Sequence, residues 1–145
     1  MIVVDTMTVA YGLLPHPEFT HEVEQVREKD GTWAAPSVWR SEFRNVLLQY
    51  VRAVESGPLS QNLQLADAFG VMQDAEALLV DRTVQVDSEP ILQLAYESGC
   101  SAYDCEYVAL AQRLGVGLIT YDSGVLDAFP DTAMTPSDFL SAHGD

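Results

Sequence analysis

Residues 101–122, SAYDCEYVALAQRLGVGLITYD, decide how this chain is read. Residues 102–114 read as a helix that Gly115 ends, and VGLITYD (116–122) reads as an apolar strand running into an acid. This one unit places Asp104 at a helix start and Asp122 at a strand end. A carboxylate beside an apolar strand is costly unless something compensates it.

The same juxtaposition recurs upstream. IVVD (2–5) is a short apolar run ending in Asp5, the first strand. TVAYGLL (8–14) follows as a short helix stopped by Pro15 and Pro17. EFTHEVEQVREKD (18–30) carries Phe19, Val23 and Val26 at helical spacing before Gly31. TWAAP (32–36) is a second strand, and Ser37 is the expected N-cap of the next helix. That helix runs to about Glu55, with Val38, Phe43, Val46, Leu47, Tyr50, Val51 and Val54 as its apolar face and Glu42 just inside its start. Gly57 and Pro58 break the chain, and residues 60–80 form a second long helix that makes a hairpin with the first. RTVQV (82–86) is strand three; Ser88 and Pro90 open a short helix that Gly99 closes. After Asp122 a loop of Ser, Gly, Asp and Pro is expected. A last strand follows near Thr132 to Met134, then a final helix over PSDFLSA (136–142).

Strands alternating with helices imply one α/β domain over residues 1–145 with a mostly parallel sheet. Ligands of such sheets bind outside the carboxyl ends of the strands. Asp5 and Asp122 fall at strand carboxyl ends. Glu42 and Asp104 fall in first helical turns that can face the same edge.

Four acids at one edge would need a cation, so the leading reading is a divalent-metal enzyme. Mg²⁺ takes oxygen ligands and keeps several waters, so one or two direct carboxylates suffice. Each acid has a plainer reading. Asp5 could cap the helix near Thr8. Glu42 could complement a helix N-terminus or pair with Arg40 or Arg44. Asp104 fits a capping box with Ser101, and Asp122 could be a turn residue before Ser123 and Gly124. Glu106, two residues along the helix from Asp104, points to another face and is expected to be solvated. Thr6 and Thr120 carry hydroxyls beside Asp5 and Asp122, to orient waters or a scissile phosphate, or to bond nearby backbone. Arg40 and Arg44 share a helix face next to Glu42 and are the candidate phosphate contacts, or form surface pairs.

Composition limits the alternatives. With 48% hydrophobic residues over 145 positions the chain can bury a real core. No apolar run approaches the roughly 18–20 residues that would span a membrane, and MIVV is too short for a signal peptide. The cytoplasm is the expected compartment. Cys100 and Cys105 form no CxxC pair and read as inert thiols. His16, His21 and His143 share no metal spacing. The net charge is −15 and Lys29 is the only lysine, which argues against a basic phosphate-binding surface. It fits a self-repelling surface or a partner with a basic segment.

With these residues placed, the chain resembles PIN-domain proteins of the VapC-like toxin group. The matching pieces are MIVVDT (1–6), APSVWRSEFRNVL (35–47), the 101–122 stretch and TPSDFL (135–140), in the family's order and from end to end. The resemblance implies a three-layer α/β/α sandwich and a ribonuclease dependent on Mg²⁺ or Mn²⁺. It also implies a homodimer held inactive by a cognate antitoxin. Asp5 and Asp104 match the family's principal metal-binding acids, Glu42 and Asp122 the remaining acids, and Thr6 its small hydroxyl position. Met7 departs from the family, which often has Asn or another small polar residue there.

Two other functions stand beside the ribonuclease. A non-catalytic binding module of the same fold is consistent with Met7 and the net charge. A haloacid-dehalogenase-type phosphatase also uses an Asp after its first strand. It wants a second Asp two residues on, where Met7 stands, and a lysine in the later half of the chain.

Overall fold

The computed structural model describes residues 1–53 and 63–142. The helix end expected near Glu55, the Gly57–Pro58 break, the first residues of the second long helix and His143 lie outside the described residues. Five short strands make one sheet: β1 (Ile2–Val4), β2 (Trp33–Pro36), β3 (Thr83–Val84), β4 (Leu118–Ile119) and β5 (Ala133–Met134). Their order is β3-β2-β1-β4-β5. Every pairing is parallel, with Val3 opposite both Ala34 and Leu118. Strands β1, β2 and β4 are buried at every position, as a parallel sheet covered on both faces requires.

Eight helices are present among the described residues: α1 (Thr6–Leu13), α2 (Thr20–Lys29), α3 (Trp39–Ala53), α4 (Leu65–Leu79), α5 (Ser88–Ser98), α6 (Ala102–Leu114), α7 (Ser123–Ala128) and α8 (Pro136–Ala142). The chain steps from β1 to β2 to β3 in one direction, then crosses back to β4 and β5. Right-handed crossovers therefore set α1–α4 on one face and α5–α6 on the other, giving the three-layer sandwich. Helix α6 buries Cys105, Tyr107, Val108, Ala109, Leu110 and Ala111 and lies against β1, β2 and β4. Helices α3 and α4 pack against each other; the turn expected between them lies outside the described residues. No helix of the described residues is long and apolar enough to cross a membrane.

Two local expectations change. Helix α3 starts at Trp39, because the Val38 carbonyl is the one that accepts the Glu42 N–H at 3.2 Å; Ser37 lies one position too early to cap it. The loop expected after Asp122 is instead helix α7. Asp122 Oδ1 accepts the Val125 N–H at 3.0 Å, and that side-chain bond starts a six-residue helix despite Gly124.

The reversal of strand order lies between β1 and β4, which run side by side with Val4 opposite Ile119. Such a switch point opens a crevice at the carboxyl ends of the two strands. Asp5 leaves β1 there, and Thr120, Tyr121 and Asp122 leave β4 there.

Candidate active site at the strand ends

All four sequence-designated acids stand at helix N-termini. Asp5 is the N-cap of α1 and Asp122 the N-cap of α7. Glu42 and Asp104 lie in the first turns of α3 and α6. The exposed N–H groups of a first turn favour negative charge, which is how the fold tolerates like charges at one edge. The cap and function readings are therefore not rivals: Asp5 accepts the Thr8 N–H at 2.9 Å, and Ser101 Oγ accepts the Asp104 N–H at 3.0 Å.

Buried hydroxyls stand behind the acids. Thr6, Thr8 and Thr120 are the buried polar side chains of the described residues, and each bonds a site carboxylate. Asp5 Oδ1 accepts from Thr8 Oγ1 at 2.7 Å, and Asp5 Oδ2 accepts from Thr120 Oγ1. The same Thr120 oxygen accepts the Asp122 N–H at 3.0 Å, linking the two strand-end acids. On the far side, Glu42 Oε1 lies 3.0 Å from Thr6 Oγ1 and 2.6 Å from Tyr107 Oη, which are 2.7 Å from each other.

The carboxylates sense one another. Burial pushes the Asp5 carboxyl above the usual range; bonds from Thr120 and Thr8 oppose this, and the Asp122 charge adds to it. Burial likewise raises Asp104, with Ser101 opposing and the charges of Asp122 and Glu42 adding. Glu106, expected to be a solvated surface acid, is half-buried, and its carboxyl is raised by burial and by Glu42. It sits close enough to Glu42 to feel its charge. Among the described residues none of these acids forms an ion pair.

The candidate phosphate contacts fall elsewhere. Arg40 Nε is 3.8 Å from Glu76 on α4, and its guanidinium lies over the Trp39 ring. Arg44 lines an apolar groove between α3 and α4 with Leu48, Leu65 and Phe69. Thr6 and Thr120 are brought to the site, but their hydroxyls are taken up by Glu42, Tyr107 and Asp5. Met7 is half-buried and packs against the core. Cys105 is buried; Cys100 is partly exposed.

Tyr107 is the residue that sequence reasoning missed. It lies three positions after Asp104, on the same side of α6, and that spacing was the available signal. Its ring is 3% exposed, which makes it look like core. Burial and the Glu42 carboxylate both push its phenol well above the usual value, so it is a hydrogen-bond donor at every working pH.

The donor chemistry fits a hard divalent cation: carboxylate oxygens, mutual repulsion and no competing base. Among the described residues no group of three or more His, Cys, Asp or Glu side chains is placed to hold a metal ion. Mg²⁺ takes oxygen ligands and keeps several waters, so one or two carboxylates can hold it. Asp5 and Asp104 are the candidates for direct contact, with Glu42 and Asp122 beside them.

The sequence profile of the PIN domain matches residues 2–131. No curated protein sequence matches the chain. Among solved structures, the chain is similar to PAE2754 from Pyrobaculum aerophilum, at 20% identity and a TM-score of 0.69, covering 97% of this chain and 94% of that one. It is similar to FitAcB from Neisseria gonorrhoeae, at 18% identity and a TM-score of 0.66, covering 94% and 99%. A toxin-antitoxin complex from Klebsiella pneumoniae matches at 16% identity and a TM-score of 0.66, covering 94% and 98%.

Proposed function

The chain belongs to the PIN-domain family, and from that premise we propose that it is a divalent-cation-dependent endoribonuclease, the toxin of a toxin–antitoxin pair. PIN domains are generally nucleases. The observation that carries the reading is the backing of Asp5 and Glu42 by buried hydroxyls at the sheet's switch point. A structural cap needs no second layer of buried donors.

Each residue then has a task. Thr8 and Thr120 fix both oxygens of Asp5. Asp104, raised by burial and then by the charges of Asp122 and Glu42, is poised to gain from a positive charge at the edge. Glu42 and Asp122 orient water there. Bound Mg²⁺ or Mn²⁺ supplies charge neutralisation at a phosphoryl oxygen and a lowered water pKa. Arg40, 3.8 Å from Glu76, and Arg44, in the α3–α4 groove, would have to leave these contacts to meet the flanking phosphates.

The partners follow from surface chemistry. A net charge of −15 suits an antitoxin with a basic segment lying over the acidic edge. The toxin-antitoxin neighbour from Klebsiella pneumoniae supports such a partner. Leu92 and Tyr96 on α5, four apart and 64% and 89% exposed, suit a homodimer face.

One observation favours the second reading, a binding module without catalysis: among the described residues no group of three or more His, Cys, Asp or Glu side chains is placed to hold a metal ion. Inducible expression in a bacterial host separates the two. Growth arrest by the wild type, absent with Asp104→Asn and relieved by co-expressing a cognate antitoxin, supports the toxin. Arrest by both proteins, or by neither, overturns it.

A further inference from the structure

Glu42, Thr6 and Tyr107 bring three oxygens together from α3, α1 and α6. Glu42 Oε1 is the acceptor, so two hydroxyls serve three close contacts. The two shortest are Thr6 to Tyr107 at 2.7 Å and Tyr107 to Glu42 Oε1 at 2.6 Å; Thr6 to Glu42 is the longest at 3.0 Å. Distances of 2.6–2.7 Å are those of good O–H···O bonds. Tyr107 O–H donates to Glu42 Oε1 over the shortest contact, and Thr6 O–H, which also donates to Glu42 Oε1, lies within bonding distance of Tyr107 Oη. Both hydroxyls are buried and belong to packed elements, so the chain is rigid. It engages Oε1 alone. Glu42 Oε2 has no partner among the described residues, and no buried polar side-chain atom there lacks one, so Oε2 reaches solvent.

We propose that Tyr107 is a positioning residue for the cation site, holding Glu42 Oε1 from behind so that Oε2 is presented to the acidic edge. This rests on the nuclease reading and adds a residue to it. Thr6 becomes the outer member of the chain rather than a substrate contact. The phenol does not touch the RNA or the cation; it acts through Glu42. Partners of this kind change metal affinity by about 10–100-fold when removed.

The test is Mn²⁺ binding to the metal-free protein, read by the loss of free-ion electron paramagnetic resonance signal. Tyr107→Phe keeps the ring and removes only the hydroxyl. Its Mn²⁺ dissociation constant is expected to rise about tenfold or more, while far-ultraviolet circular dichroism stays that of the wild type. In a Glu42→Gln background the same substitution is expected to change nothing further, because its route is gone. If Tyr107→Phe does not fold, Thr6→Val probes the chain from its other end, with a smaller rise expected. Wild-type binding with an unchanged constant in the folded variants overturns the positioning role alone. Full additivity with Glu42→Gln also overturns it. A wild type that binds no Mn²⁺ overturns the nuclease reading and this role together.

Discussion

Thr120 Oγ1 donates to Asp5 Oδ2 across 115 residues of sequence, and its own oxygen accepts the Asp122 N–H. One buried hydroxyl thus fixes the acid that ends β1 and the backbone of the acid that follows β4. Thr120→Val keeps the shape and leaves two polar groups without this partner. It is expected to lower stability by about 1–3 kcal/mol, measured by urea denaturation, and to reduce cleavage more than it reduces RNA binding.

Asp104→Asn is expected to do the reverse for stability. The Asp104 carboxyl is raised by burial and by the charges of Asp122 and Glu42, so neutralising it relieves repulsion. The metal-free variant should melt above the metal-free wild type, and the rise in melting temperature on adding Mn²⁺ should be lost. Equal Mn²⁺ shifts in the two proteins would remove Asp104 from the cation site.

The same groups set a pH dependence. Asp5, Asp104 and Glu106 have folded pKa values above their unfolded ones, chiefly through burial. Between the unfolded and folded values the native state binds more protons, so stability is greatest at the low end of that window and is lost as pH rises through the folded values. Asp30 works oppositely: partial burial raises it, but the N-terminal ammonium and the Thr32 N–H outweigh this and lower it. Its contribution is present above the unfolded value and is lost as pH falls through the folded one. In EDTA the protein should therefore resist urea better at pH 5 than at pH 8, and Asp5→Asn should flatten the difference.

Two helical glycines give opposite outcomes. A Cβ on Gly12 in α1 would come within 2.9 Å of Val23 Cγ1, on a buried β-branched side chain that has little room to move. A Cβ on Gly70 in α4 meets nothing within 4 Å. Gly70→Ala is expected to stabilise by about 0.5–1 kcal/mol through helix propensity. In Gly12→Ala the overpacking, about 1–3 kcal/mol, exceeds that gain and lowers stability.

Salt is the test of how an acidic protein meets RNA. A basic binder making six phosphate contacts loses roughly 10³-fold in affinity between about 50 and 200 mM salt. This chain has 22 acidic residues against 7 basic, so monovalent salt screens repulsion instead. The apparent KM for RNA should stay level or fall over that range.

Much of this site was legible because its acids sit where strands hand over to helices, and apolar run length marks those places. Asp5 after IVV and Asp122 after the GLIT segment fell at the sheet edge as read. The all-parallel pairing of the sheet agrees with the alternation of elements that predicted it. What escaped was decided by tertiary contacts. Tyr107 drew no reading, since only its hydroxyl reaches Glu42, 65 residues away, while its ring is core. Glu106 looked solvated because helical spacing reports a face and not what packs over it. Residues 123–128 looked like loop because Ser and Gly argue for one, and the Asp122 cap outweighed them. Arg40 and Arg44 share a face near Glu42, yet one lies by Glu76 and the other lines an apolar groove.

The most direct measurement is cleavage of a labelled single-stranded RNA as Mn²⁺ is titrated into the metal-free, partner-free protein, with Asp104→Asn beside the wild type. The account predicts no cutting in EDTA, cutting by the wild type that rises and saturates with Mn²⁺, and none by the variant. Equal cutting by both proteins, or no cutting on several RNAs by a folded wild type that binds Mn²⁺, would contradict it.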